Sequence, residues 1–345
     1  MIEIFKCLFI YIFNSINVYM FIELILISKI GEKKMNYSTN LWNNWLIPKL
    51  YTSTKPEASM PIEILLDAEK SKLSLQLRDA RMLGVLMGAK FMTTPQLTLC
   101  FWEGKNSSKT CIKRLNTLWD YGLLARIRPR AKSRTGSLPW IWAITKRGVQ
   151  ILERSGLTLY EERLKKDIKF NEMTSELPSQ NLLRHSILIS EFGSQCLASG
   201  GDWYFDHETA STFDIRISTG KSKLYYPDSI LEWPKKGGVQ ETWLLELERS
   251  ANQPRFREKM HIWKSLKILG KADQSIKNKY VVIVGRIKDT LPDRDERSII
   301  PLAKIIESNG ELTEFIKFIG IPNELEESFE AIPLDAVSFL KKHGG

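Results

Sequence analysis

The chain has 345 residues, room for two or more domains that each bury a core. Its formal net charge of +10 favours a polyanionic partner, nucleic acid first. The four cysteines form no CxxC pair, the four histidines are scattered, and no P-loop or GxGxxG occurs. This excludes zinc spacing and a disulfide framework, argues against an ATPase or dinucleotide enzyme, and fits a reducing cytoplasm.

Residues 1–34 form a hydrophobic segment rich in Ile, Phe, Tyr and Asn. A membrane-spanning helix wants about 20 mostly apolar residues with few charges. Lys6, Asn14, Asn17 and Glu23 interrupt this one, so stable membrane insertion is not expected. Two readings stay open. The segment is a weak anchor, or it is AT-rich upstream DNA read in frame ahead of a start at Met35, which its composition fits better. Residues 35–77 read as an arm and linker, with Trp42, Trp45, Pro56 and Pro61 and a short helix at Ile62–Lys72.

Residues 78–155 carry a winged helix-turn-helix pattern. Arg78–Lys90 is helical, with Met82, Leu83, Leu86 and Ala89 on one side. Thr93 or Thr94 caps a second helix, Pro95–Trp102, and Ser107 caps a third, Ser108–Tyr121, stopped by Gly122. In the third helix Ile112, Leu115 and Leu118 or Trp119 face inward. Lys109, Thr110, Lys113, Arg114 and Thr117 face outward. Strands Leu123–Pro129 and Leu138–Thr145 flank a wing, and helix Lys146–Arg154 closes the unit. The third helix is expected in the major groove of double-stranded DNA. Wing residues Arg126, Arg128, Arg130, Lys132 and Arg134 are expected to reach phosphate or minor groove. A protein-binding module with a solvated wing is the competing reading, and five cations on so short a wing favour DNA.

Residues 156–180 read as a connector with a charged helical piece, Tyr160–Ile168. Asn181–Ser199 is a helix with Leu182, His185, Ile189, Phe192 and Cys196 as its buried stripe, so His185 reads as a core histidine. Asp202–Glu208 reads as a strand. Leu224–Trp233 and Glu241–Arg249 then form a hairpin around Lys236-Gly237. This turn sets Asp228 opposite Leu245 or Glu246. Side chains repeat every two residues along a strand, so Glu246 and Glu248 share a face while Trp243, Leu245 and Leu247 enter a core. Asp228, Glu246 and Glu248 are therefore expected on one patch of sheet. Like charges across a ladder repel, and a divalent cation, Mg²⁺ or Mn²⁺, is the expected compensator. Helix Gln253–Leu269 follows, with Phe256, Met260 and Trp263 on its apolar side and Arg255 and Lys259 among its cations. Asn278–Arg286 is an apolar buried strand. Residues 291–345 read as a helical accessory region without chemistry of its own.

The order helix, three strands, helix, strand over 181–290, with Pro227-Asp228 and Glu246-Leu247-Glu248, resembles the PD-(D/E)xK restriction-endonuclease-like core with its mixed sheet. The expected class is therefore α/β, or α+β overall. Glu248 stands where that family usually has lysine. The resemblance implies a lysine from a neighbouring helix, and Lys259 is the first choice, with Arg255 behind it; either could instead hold the DNA backbone. It also implies an acid from the first helix, for which Glu191 is the candidate. A winged helix before such a core, with RHSILISEF (Arg184–Phe192), YPDSILEW (Tyr226–Trp233) and LLELERS (Leu244–Ser250), resembles the replication-relaxation proteins, including MobC-type relaxases of mobilisable plasmids. This resemblance implies metal-dependent nicking at a plasmid origin of transfer, with relaxosome accessory or coupling proteins as further partners. Water, or a tyrosine such as Tyr225 or Tyr226, stays open as the attacking group. The alternative is a DNA-binding replication or transcription regulator with a degenerate core.

Overall fold

The structure, a computed structural model, describes residues 45–46, 73–102, 107–127, 130–131, 139–154, 180–205, 214–216, 222–224, 227–234, 241–248, 253–272, 279–287, 297–321 and 332–344. The segment 1–34, the helix expected at Ile62–Lys72, the piece Tyr160–Ile168, Arg128, Lys132, Arg134, Tyr225 and Tyr226 lie outside the described residues.

Strand β1 (Trp45–Leu46) pairs antiparallel with β4 (Arg130–Ala131). Helices α1 (Leu77–Ala89), α2 (Thr94–Phe101) and α3 (Ser107–Asp120) precede β3 (Leu124–Ile127), β5 (Ile141–Ile144) and α4 (Lys146–Arg154). The short β2 (Met92–Thr93) joins them in an antiparallel sheet of order β2-β5-β3. Thr93 caps α2 reciprocally: its hydroxyl accepts from Gln96 N at 3.4 Å, and Gln96 Oε1 accepts from Thr93 N at 2.8 Å. The buried stripe of α3 is Cys111, Leu115, Leu118 and Trp119. Ile112, expected inside, is 38 % exposed, because the stripe starts one residue earlier, at Cys111.

The second half runs α5 (Gln180–Ala198), β6 (Asp202–Phe205), β7 (Asp214–Arg216), β8 (Ser222–Leu224), β9 (Ser229–Glu232), β10 (Thr242–Leu247), α6 (Gln253–Ala272), β11 (Lys279–Arg286), α7 (Ile300–Asn309), β12 (Ile316–Ile321), β13 (Leu334–Asp335) and α8 (Ala336–His343). Six strands make one mixed sheet, β13-β12-β11-β10-β9-β6, with β10, β11 and β12 parallel. Two expectations are corrected here. The single strand Leu224–Trp233 is broken: β8 pairs with β7 and β9 starts only at Ser229. Pro227 has no N–H to give the ladder, and the Asp228 side chain takes up the Leu247 N–H at 2.8 Å instead. The region 291–345 is no helical accessory, since β12 and β13 extend the main sheet.

Both faces of the sheet are covered. Leu244, Val281, Ile283 and Phe318 pack with Phe256 and Trp263 of α6, Leu302 of α7 and Phe339 of α8. On the other side Trp243, Leu245, Val282 and Ile319 share one core with Leu183 and Phe192 of α5 and with Met82, Leu97 and Leu115 of α1–α3. Polar bonds tie the halves at this seam. Gln96 Nε2 donates to Ile187 O at 3.1 Å, and Ser190 Oγ donates to Phe91 O at 2.8 Å.

Two glycines give opposite expectations. A Cβ on Gly193 of α5 would fall 2.2 Å from the Trp203 ring, whereas one on Gly84 of α1 would meet nothing within 4 Å. Gly193→Ala is expected to cost about 1–3 kcal/mol by overpacking. Gly84→Ala is expected to stabilise by roughly 0.5–1 kcal/mol through helix propensity. Chemical denaturation of the two variants checks the signs; a stabilising Gly193→Ala contradicts the α5–β6 packing.

Candidate functional site

Every residue of β10 is buried. Its two-residue alternation sends Trp243, Leu245 and Leu247 toward α5 and Leu244, Glu246 and Glu248 toward α6. The acids expected on one face are on one face, but that face is roofed by α6. Glu246 is only 2 % exposed and Glu248 6 %. Two buried carboxylates require a partner, and α6 supplies it. Phe256, Met260 and Trp263 seat the helix, and Lys259, on the same side, reaches down between the acids. Its Nζ lies 2.6 Å from Glu246 Oε2 and 2.8 Å from Glu248 Oε1. Burial disfavours the ammonium, but the charges and hydrogen bonds of Glu246 and Glu248 outweigh this and hold its pKa above the ordinary lysine range.

Asp228 completes the cluster. Ser229 pairs with Leu245, so one more residue of register sets Asp228 beside Glu246, as the turn implied. Burial pushes its carboxyl up. The hydrogen bond and charge of His185, the Leu247 N–H and the charge of Lys259 together pull it below the usual carboxylate range. His185 Nε2 lies 3.4 Å from Asp228 Oδ2. Sequence reasoning missed this role and placed His185 in the core; it is half-buried and belongs to the site. Its place in RHSILISEF was the available signal.

Glu191 is not part of this cluster. Its carboxylate accepts from Gln96 Nε2 at 2.7 Å and from Gln195 Nε2 at 3.3 Å, in the seam with α2. Burial raises its pKa, and the two amide donors only partly offset that. Helix periodicity explains the misplacement: positions 185 and 191 are six residues apart and project in different directions.

Among the described residues no group of three His, Cys, Asp or Glu is placed to hold a metal ion. The register runs from Ser229 opposite Leu245 toward Asp228 and Glu246, and Glu246 and Glu248 are both bound to Lys259. Mg²⁺ is commonly held by only one or two carboxylates and fills its remaining positions from water and phosphate.

In the N-terminal half Lys109, Thr110 and Lys113 are exposed on α3. Thr117 is half-buried, its hydroxyl bonded to Lys113 O at 3.0 Å. Arg114 does not face outward: its guanidinium grips the fully buried Asp79 with two nitrogens and donates to Ser74 O at 2.6 Å. A buried carboxylate recruits the nearest guanidinium, so α3 is pinned to the start of α1. Arg126 is half-buried against aromatic rings, 3.6 Å from the Trp119 ring centre and 4.4 Å from that of Trp140, with a 2.7 Å bond to Asn116 Oδ1. Arg130 is described in backbone only, within β4, and Arg255 is exposed on the first turn of α6. No helix among the described residues is long and apolar enough to cross a membrane.

A family model described as replication-relaxation matches residues 83–276, a span that contains the α3 surface and the whole acid–lysine cluster. No curated protein and no solved structure matches the chain.

Proposed function

Because the chain belongs to the replication-relaxation family, with its role in plasmid replication or relaxation, we propose that it binds double-stranded DNA at a plasmid origin of transfer and nicks it with a divalent cation. In this reading residues 78–155 are a winged helix-turn-helix and the six-stranded half is a PD-(D/E)xK-like core. The observation that carries it is the lysine of α6 set between Glu246 and Glu248. In this reading Lys259 stands in for the strand lysine, and it meets the acids at the end of a parallel strand, where α/β sheets place ligands.

Asp228 and Glu246 hold the cation. When bound, it supplies charge for the phosphate and a water of lowered pKa. Lys259 offsets negative charge developing on the phosphoryl oxygens. Helix α6 covers Glu246 and Glu248, and the exposed Lys109, Thr110 and Lys113 hold α3 against the duplex. Supercoiled plasmid carrying its own origin is expected to become open circle in Mg²⁺ and to stay closed with chelator. Equal nicking with chelator sinks the proposal.

The DNA surface has its own test. Replacing Lys109 and Lys113 by alanine is expected to weaken binding across all sequences. It should also flatten the log–log salt dependence by about 0.9 per lost phosphate contact. An unchanged slope removes α3 from the interface.

One observation favours a second reading. Lys259 is already bonded to both glutamates, as it would be in a degenerate core of a DNA-binding regulator. A Mn²⁺ titration separates the two, since the regulator has no site that depends on Asp228.

A further inference from the structure

We propose that His185 is the positioning residue of the site: it fixes the Asp228 carboxylate so that one oxygen is spent on the protein and the other is left for a divalent cation. The inference rests on the nicking reading above and names a group that reading does not use. His185 Nε2 at 3.4 Å and the Leu247 N–H at 2.8 Å converge on the same atom, Asp228 Oδ2. One donor comes from a helix side chain and the other from the strand backbone, so the carboxylate is held at two angles. Among the described residues no hydrogen bond reaches Oδ1.

The histidine rides on an anchored helix. It sits on α5, whose Leu183 and Ile187 are buried and whose Ile187 O and Ser190 Oγ are bonded across the seam to Gln96 and Phe91. Rigid support of this kind is what a metal-binding carboxylate needs, since hydrogen-bond partners behind ligands tune affinity nearly as strongly as the ligands. A core histidine, by contrast, would contribute packing alone.

The test is Mn²⁺ binding by the full chain, followed by electron paramagnetic resonance, with nicking measured alongside. The variants are His185→Gln, which keeps a donor, and His185→Ala and His185→Phe, which have none. Each is checked by thermal melting. The wild type is expected to show a Mn²⁺ site that Asp228→Asn removes. The donor-free variants should bind about 10–100-fold more weakly, in the range set by removing such partners, and His185→Gln should recover most of that loss. Wild-type affinity in a folded donor-free variant overturns the inference, as does a His185→Gln loss as deep as theirs. Failure of both donor-free variants to fold overturns it too, because His185 is then a packing residue. A wild type with no Asp228-dependent site overturns the nicking reading and this inference together, whereas an intact site indifferent to His185 overturns this one alone.

Discussion

Lys259→Met is expected to lower folding stability by about 3–5 kcal/mol at pH 8, the range for removing one partner of a buried ion pair. Methionine keeps most of the volume, so the deficit measures charge and not a cavity. The size follows from burial: Glu246 and Glu248 are nearly inaccessible, and their shared cation is the α6 ammonium. An exposed pair would give only 0–1 kcal/mol or so. The sign with pH follows as well. A buried carboxylate without a partner sheds its charge by taking up a proton. The folded variant therefore binds more protons than its unfolded chain, and its stability falls as pH rises from about 5 to 8. Urea unfolding at both pH values checks this; a loss under 1 kcal/mol at pH 8 shows that the lysine does not hold the acids. Nicking should fall by roughly 10²–10³ in the same variant, as for removal of one preorganised charge from an active site.

Glu246→Gln is expected to do the opposite: little change in fold, near-complete loss of chemistry. Glutamine keeps the shape and still accepts from Lys259, which retains Glu248 as its counter-charge. Stability should fall by only about 1–2 kcal/mol, the cost of turning a charged hydrogen bond into a neutral one. The amide is a poor ligand for a hard cation, and the nicking rate should drop on the order of 10³-fold. That is about 4 kcal/mol of barrier at 1.36 per decade. A folded Glu246→Gln that nicks at the wild-type rate leaves β10 with a structural role alone.

Much of this site is legible in the chain itself. The Gly-containing turn and the two-residue period set the β9–β10 register, and the structure pairs Ser229 with Leu245 accordingly. Lys259 comes from the resemblance, which implies a lysine from the neighbouring helix, and the structure seats that helix through Phe256, Met260 and Trp263. What failed has physical causes. The strand was drawn through Pro227, although proline cannot serve the ladder and Asp228 caps it with a side chain. The run IKFIGI was absorbed into charged helical surroundings, although its β-branched residues mark the strand β12. Arg114 and Arg126 looked like surface cations because one-dimensional spacing does not show that Asp79, Trp119 and Trp140 are waiting for them. His185 looks apolar by position because its partner Asp228, 43 residues away in sequence, reaches it only once α5 packs on the sheet.

The most direct measurement is the single-turnover nicking rate of Asp228→Asn, Glu246→Gln and the double variant on origin plasmid in Mg²⁺, each shown to be folded by melting. Residues that work as one site lose activity together and not additively. Each single variant should fall on the order of 10³-fold and the double variant by about the same amount. Wild-type nicking by either folded single variant contradicts the account.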